Sequence, residues 1–187
     1  MKRLIPFSAV SLLLLLTMTF DGSASRLPIS NEELILESRD IVHGIVIELK
    51  SEWAENHSMI YTHAKLQVLD VYKGEPRDQI IVLIPGGTIK SNDEDTLDST
   101  KNKVGVDSIE HFHFRGRGGD ISLVVSDEAE LELGMEVIIH TYVTIDGRLV
   151  IHSGERGAYI VKNGVIERMN MTPDQYKNLV DEVMKKK

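Results

Sequence analysis

Two long segments near the start of the chain alternate apolar and polar side chains, which is the pattern of a half-buried β-strand. One face of the first carries Ile41, His43, Ile45, Ile47 and Leu49, and one face of the second carries Ile60, Thr62, Ala64, Leu66 and Val68, so all but two of these positions are apolar. Residues 80–85 predict a third, more fully buried strand, because they form a short apolar run that Pro85 ends.

Further strands are predicted over 108–116 and 120–126 and in two hairpins. Asp146-Gly147 and Asn163-Gly164 each separate two alternating runs, and these dipeptides favour tight hairpin turns. Residues 88–107 lack a period and predict a long exposed loop. The strands as a whole predict one interior lined by Ile45, Ile47, Leu66, Val68, Val82, Ile138 and Val150.

A helix is predicted at each end of this strand-rich region. Ser30 and Glu33 form a capping-box pair, which predicts a short helix that ends near Arg39. Thr172, Pro173 and Gln175 are typical of a helix start and predict a helix over residues 173–185. Its apolar stripe comprises Tyr176, Leu179, Val180, Val183 and Met184.

The first 24 residues have the order of a secretory signal peptide. Lys2 and Arg3 precede an uncharged apolar stretch over 4–20, and small residues at Gly22 and Ala24 favour cleavage after Ala24. The alternative is an uncleaved anchor, although the stretch is shorter than the roughly 20 apolar residues that a spanning helix needs. We therefore expect a secreted or extracytoplasmic protein, with membrane attachment only if residues 4–20 are retained. Residues 25–187 then form a single domain.

Composition narrows the classes of function. The chain has 29 acidic against 21 basic side chains and a formal net charge of −8, which disfavours nucleic acid as a partner. It has no cysteine, so disulfides, thiolate metal sites and thiol nucleophiles are excluded. None of the common catalytic motifs, such as GxSxG or HExxH, occurs in the sequence. We predict neither an enzyme nor a bound cofactor.

Several short motifs along residues 33–161 resemble those of a known barrel family. They are Ser38-Arg39-Asp40 before the first strand, Gly44 within it, Val71-Tyr72-Lys73-Gly74 at the end of the second, and Gly134-Met135-Glu136 before a later one. This layout resembles the OB-like barrel of netrin modules, which tissue inhibitors of metalloproteinases share. The resemblance implies a mainly β fold, an OB-like closed or partly open antiparallel β-barrel with a short N-terminal and a C-terminal helix. Those inhibitors chelate zinc through an N-terminal cysteine, which this chain lacks.

The histidines offer one candidate metal site. His111 and His113 share a strand face, and His140 or His152 from the next hairpin could supply a third ligand. The simpler interpretation is that Phe112 and Phe114 pack inward and the histidines face water. No ligand signature supports a metal, so we assign none and keep a metal-dependent hydrolase as the alternative function.

Six residues are candidates for contacting a partner. Arg115 and Arg117 lie in a glycine-rich turn, and Asp93 and Asp95 lie in the acidic loop, where weak calcium binding is the alternative to solvation. Trp53 and Tyr61 near the first inter-strand turn could form a stacking surface for a peptide or glycan, although such pairs more often serve packing. We expect a non-catalytic binding or accessory module that contacts an envelope or extracellular protein. A membrane-tethered structural domain is a further alternative.

Overall fold

The structure is a computed structural model that describes residues 29–55, 58–89, 112–117, 120–125 and 128–186. The predicted signal peptide at 1–24 and most of the predicted loop at 88–107 lie outside these residues. Neither helix in the described part of the chain has the length and apolarity needed to span a membrane.

The fold is mainly β, with ten strands and two helices among the described residues. The strands are β1 (Asp40–Trp53), β2 (Ile60–Lys73), β3 (Gln79–Pro85), β4 (Gly87–Ile89), β5 (Phe112–Arg117), β6 (Asp120–Val125), β7 (Glu136–Val143), β8 (Leu149–Ile151), β9 (Ala158–Lys162) and β10 (Val165–Ile166). Helix α1 spans Asn31–Glu37, helix α2 spans Pro173–Lys185, and a 3-10 turn covers Gly154–Gly157. Both predicted helices are present, with α1 ending two residues before the predicted Arg39, and so are the predicted strands, of which the one predicted over 108–116 is described only from Phe112.

Five strands close into a barrel in the order β1-β2-β3-β8-β7, and β7 pairs back onto β1. Pairing is antiparallel at every seam except one, where β3 and β8 run parallel at Leu83 and Val150. We predicted a closed or partly open antiparallel barrel; the closed form is confirmed, and the parallel seam is a departure from the antiparallel pairing that we expected throughout. The β9–β10 hairpin extends the sheet beyond β7, and β4, β6 and β5 form a separate three-stranded sheet.

A bulge in β1 reverses the side of that strand that faces the barrel interior. The register with β2 shifts between Val46 and Glu48, so Val42 and Val46 point inward before the bulge and Leu49 points inward after it. The predicted interior positions Ile45 and Ile47 are therefore wrong. Ile45 is half-buried, and Ile47 is 42 % exposed.

The later strands show that both faces of the sheet can be apolar. On β7, Val137 and Ile139 line the interior, whereas Ile138 is buried on the outer face beneath the helices. On β8, Ile151 lies in the interior and Val150 faces outward. Ile138 and Val150 are thus buried as predicted, but on the other side of the sheet. The remaining interior predictions are confirmed: Leu66 and Val82 are fully buried in the interior, and Val68 is packed against it.

The two helices cover the outer face of β1, β2, β7 and β9. Both capping boxes are formed: Glu33 N donates to Ser30 Oγ at 3.2 Å, and Gln175 N donates to Thr172 Oγ1 at 3.2 Å. The predicted stripe of α2 is confirmed except at its last position. Its side chains pack against Ile41, Ile138 and Tyr159, while Met184 is 39 % exposed.

Both predicted hairpin turns are present. Thr144 to Arg148 forms the turn around Asp146-Gly147 between β7 and β8, with Gly147 at φ +82°. Asn163 and Gly164 connect β9 to β10 with φ angles of +53° and +74°, the left-handed conformation that asparagine and glycine adopt most readily.

Candidate functional site

A groove crosses the outer face of the barrel on the side that the helices leave uncovered. It consists of two adjoining pockets of about 470 and 400 Å³. The turn after β1 and the turn between β7 and β8 border it, and the outward side chains of β2, β3 and β8 form its floor. Its lining residues include Glu52, Trp53, Glu55, Tyr61, His63, Ile81, Leu83, Glu128, Tyr142, Asp146, Arg148, Val150, His152 and Ser153.

The groove follows from the pairing of strands that alternate inward and outward side chains. Tyr61 on β2 lies opposite Pro85 on β3, and Leu83 on β3 lies opposite Val150 on β8. No helix lies above these outward residues, which leaves Tyr61 and Pro85 half-buried, whereas neighbouring strands bury Leu83 and Val150 in the groove floor. The floor of the groove is therefore a continuous strip of aromatic and aliphatic side chains across three strands.

Arg148 lies where the two pockets meet and lines both of them. Its Cζ atom is 5.7 Å from the centre of the Tyr61 ring, which is within cation–π range. Its Nε is 2.8 Å from Asp146 Oδ2. The Thr144 hydroxyl also donates to Asp146, and this hydrogen bond, together with the Arg148 charge, holds the pKa of Asp146 below its ordinary value.

A second ion pair forms the wall next to the β1–β2 turn. His63 Nε2 is 2.8 Å from Glu52 Oε1, and Lys50 Nζ is 3.4 Å from Glu52 Oε2. Partial desolvation raises the pKa of Glu52, but the hydrogen bonds and charges of Lys50 and His63 outweigh it, and the net pKa is lowered. Glu52 is therefore a carboxylate at neutral pH, and Trp53 and Glu55 beside it complete this wall.

His152 and Tyr142 form the opposite end of the groove. Their rings make an edge contact with centroids 5.4 Å apart. Burial lowers the pKa of His152, and Glu37, whose Oε2 is 3.5 Å from His152 Nε2, opposes that shift only in part. His152 Nδ1 lies 2.8 Å from the hydroxyl of Ser153, which adopts a left-handed φ of +59°. This end therefore presents a neutral imidazole and a hydroxyl.

The structure brings two of the six candidate partner-binding residues together. Trp53 and Tyr61 both line the same pocket, and Trp53 also packs against the small apolar cluster beneath the three-stranded sheet. Arg115 and Arg117 lie on β5, where they pair with Ser122 and Asp120 of β6. Asp93 and Asp95 lie outside the described residues, as does the predicted calcium-binding alternative at that loop.

His140 does not belong to a surface histidine cluster. It is fully buried, with Nδ1 3.0 Å from Ser38 Oγ and Nε2 2.8 Å from the Tyr176 hydroxyl. Burial lowers its pKa to about 3, so the ring is neutral at neutral pH. Both of its nitrogens are occupied by these two hydrogen bonds. Among the described side chains, no group of three or more histidines and carboxylates is placed to hold a metal ion. His111 and the side chain of His113 lie outside the described part of the chain.

Three of the motif residues that carry the family resemblance, Asp40, Lys73 and Gly74, meet at a structural corner away from the groove. Arg77 Nη2 donates to the buried Asp40 Oδ1 at 3.0 Å. A side chain at Gly74, where φ is +105°, would place its Cβ in collision with that same oxygen. Lys73 Nζ donates to the carbonyls of Ile35 and Leu36 at the end of α1. These residues fix α1 and the end of β2 to the barrel.

Sequence reasoning missed Arg148, Tyr142, His152 and Ile81 as groove residues. Arg148 follows the Asp146-Gly147 turn, so its place at a hairpin end was visible in the sequence. Its meeting with Tyr61 was not, because the two residues come together only through the parallel β3–β8 seam.

No family model matches the chain, and neither a curated protein nor a solved structure with significant similarity was found.

Proposed function

We propose that the chain is an exported, non-catalytic binding module that contacts an envelope or extracellular protein through the groove. The observation that carries this proposal is the junction of the two pockets at Tyr61, Leu83 and Arg148, which joins them into one open surface. A groove with an apolar floor, exposed Ile81 and Tyr142 and a polar rim is typical of a site for a partner.

The architecture supports the same proposal. OB-folds are five-stranded barrels that bind ligands on the face of strands 2 and 3 and through the loops that follow strands 1 and 4. In the closed barrel of this chain, the groove occupies the outer face of β2 and β3 and is bordered by the turns after β1 and β7. We therefore also propose that this barrel is related to the OB-like barrels of netrin modules.

The proposal of a non-catalytic role is supported by the state of the buried histidine. A hydrolase that used His140 would need one of its nitrogens to face a substrate or a metal ion. Both nitrogens instead bond to Ser38 and Tyr176 in the interior. Export rests on the predicted signal peptide, so we expect the mature protein to begin at or near Ser25.

Co-purification from native membrane and medium fractions tests the proposal. Ile81→Glu places a charge on the groove floor, where Ile81 is 54 % exposed. Leu69→Glu is the matched control, because Leu69 on β2 is 52 % exposed and lies outside the groove. We expect a protein that co-purifies with the wild-type and Leu69→Glu chains to be lost with Ile81→Glu. Equal recovery with all three chains would contradict the groove as the contact surface.

A further inference from the structure

The groove carries an excess of negative charge among its described lining residues. Four carboxylates, those of Glu52, Glu55, Glu128 and Asp146, line it against the guanidinium of Arg148, and the ammonium of Lys50 beside the groove adds one more positive charge at Glu52. This local balance has the same sign as the formal charge of −8 on the whole chain. An anionic segment would be repelled, whereas a cationic one would be attracted.

The groove already holds one cationic side chain of the protein itself. Arg148 lies above the Tyr61 ring, and its guanidinium forms an ion pair with the carboxylate of Asp146. The Arg148 and Asp146 side chains are 49 % and 55 % exposed, so neither is locked in place by burial. The site is thus an aromatic face flanked by a carboxylate, which suits a guanidinium or an ammonium group.

We propose that the groove binds an extended, basic segment of the partner protein, and that an arginine or lysine of that segment replaces Arg148 over Tyr61. This inference rests on the proposed function, since it names the chemistry of the partner at the same surface. The apolar residues of the segment lie along Ile81, which is 54 % exposed, and over Leu83, which is buried in the groove floor. Its remaining positive charges face Glu52 and Glu55 at the β1–β2 end.

Arg148 has a specific role in this arrangement. As long as its guanidinium covers Tyr61, it competes with the incoming cation for the ring and for Asp146. Removal of its charge therefore strengthens binding of a basic segment, although the change deletes a contact residue from the groove. A merely structural role for Arg148 would produce the opposite sign.

Fluorescence anisotropy with the full mature chain tests the inference. The probe is a fluorescein-labelled peptide of about ten residues that combines arginine with leucine and serine, and its partner probe has glutamate in place of arginine. We expect the arginine peptide to bind, with an affinity that falls as salt rises, and the glutamate peptide not to bind. Arg148→Gln is expected to tighten binding roughly two- to five-fold and Tyr61→Leu to weaken it by a similar factor, the range of an exposed cation–π contact.

Lys162→Gln is the control for the change in net charge, since Lys162 lies on β9 and is 59 % exposed outside the groove. We expect this variant to change the affinity for the arginine peptide only slightly, because it alters the net charge by one unit without touching the groove. Equal binding of the arginine and glutamate peptides would overturn the inference. Weaker binding of the arginine peptide by the Arg148→Gln variant would also overturn it, as would a neutral oligosaccharide that binds more tightly than the arginine peptide. If neither peptide binds but Ile81→Glu still abolishes co-purification of a protein, the inference of a basic segment is wrong and the proposed function stands.

Discussion

At the scale of single residues, the direction in which a side chain points, into the barrel or out of it, decides how far its substitution lowers the free energy of unfolding. Leu66 is fully buried in the barrel interior, whereas Ile47 is exposed next to the bulge in β1. The Leu66 side chain loses all its contact with water on folding, which contributes about 1.5–3 kcal/mol. Ile47 is 42 % exposed and contributes less by the same argument, although the two residues are both large and aliphatic.

We expect Leu66→Ala to lower the free energy of unfolding by about 2–5 kcal/mol, because the change removes buried atoms and leaves a cavity. Ile47→Ala is the matched control and should cost about 1 kcal/mol or less, because this side chain is 42 % exposed and leaves no interior cavity. Urea unfolding followed by circular dichroism measures both values. Equal losses for the two variants would mean that the bulge does not reverse the strand.

The pH dependence of stability should report on His140. Its folded pKa of about 3 is lower than the ordinary value of 6.5, so the unfolded chain binds the proton more readily. The stabilisation is therefore complete above pH 6.5 and is lost as the pH falls from 6.5 towards 3, at about 1.4 kcal/mol per pH unit for a single group. A His140→Gln variant should show a shallower slope over that window in unfolding titrations. An unchanged slope would show that His140 is not protonated on unfolding.

At the scale of elements, local sequence signals were enough for the helices and the hairpins. The Thr172 and Ser30 caps and the Asn163-Gly164 turn each depend on neighbours within a few residues, and each is present as predicted. The bulge after Val46 could not be predicted in this way, because it depends on the register between two strands. The outer burial of Ile138 likewise depends on a helix more than thirty residues later in the chain.

The C-terminal helix provides a test at this scale. Thr172→Ala should lower the free energy of unfolding by about 1 kcal/mol, since the Gln175 amide then loses the side chain that caps it. Truncation before Thr172 removes the cover from Ile41, Ile138 and Tyr159 and should promote aggregation, which size-exclusion chromatography detects. A truncated chain that stays monomeric with unchanged thermal stability would contradict the assignment of α2 to the core.

At the scale of the whole molecule, one outer face of the barrel is covered and the other is accessible. The helices bury apolar residues of β1, β7 and β9 in one cluster, while the strip along β2, β3 and β8 faces the groove. Of the candidate partner-binding residues, Trp53 and Tyr61 line the groove, and both were singled out from the sequence because they are aromatic side chains at a strand end. Arg148 and Tyr142 were not singled out, since only closure of the barrel brings their hairpin next to Trp53 and Tyr61.

Site-specific photo-cross-linking tests the central claim, that this groove is the surface that contacts a partner protein. A benzophenone amino acid is placed at Ile81 on the groove floor or at Leu69 outside it, two positions with exposed fractions of 54 % and 52 %. Irradiation of native membrane and medium fractions should give a cross-linked protein from position 81 and none from position 69. Cross-linking from position 69 alone, or equally from both positions, would contradict the account.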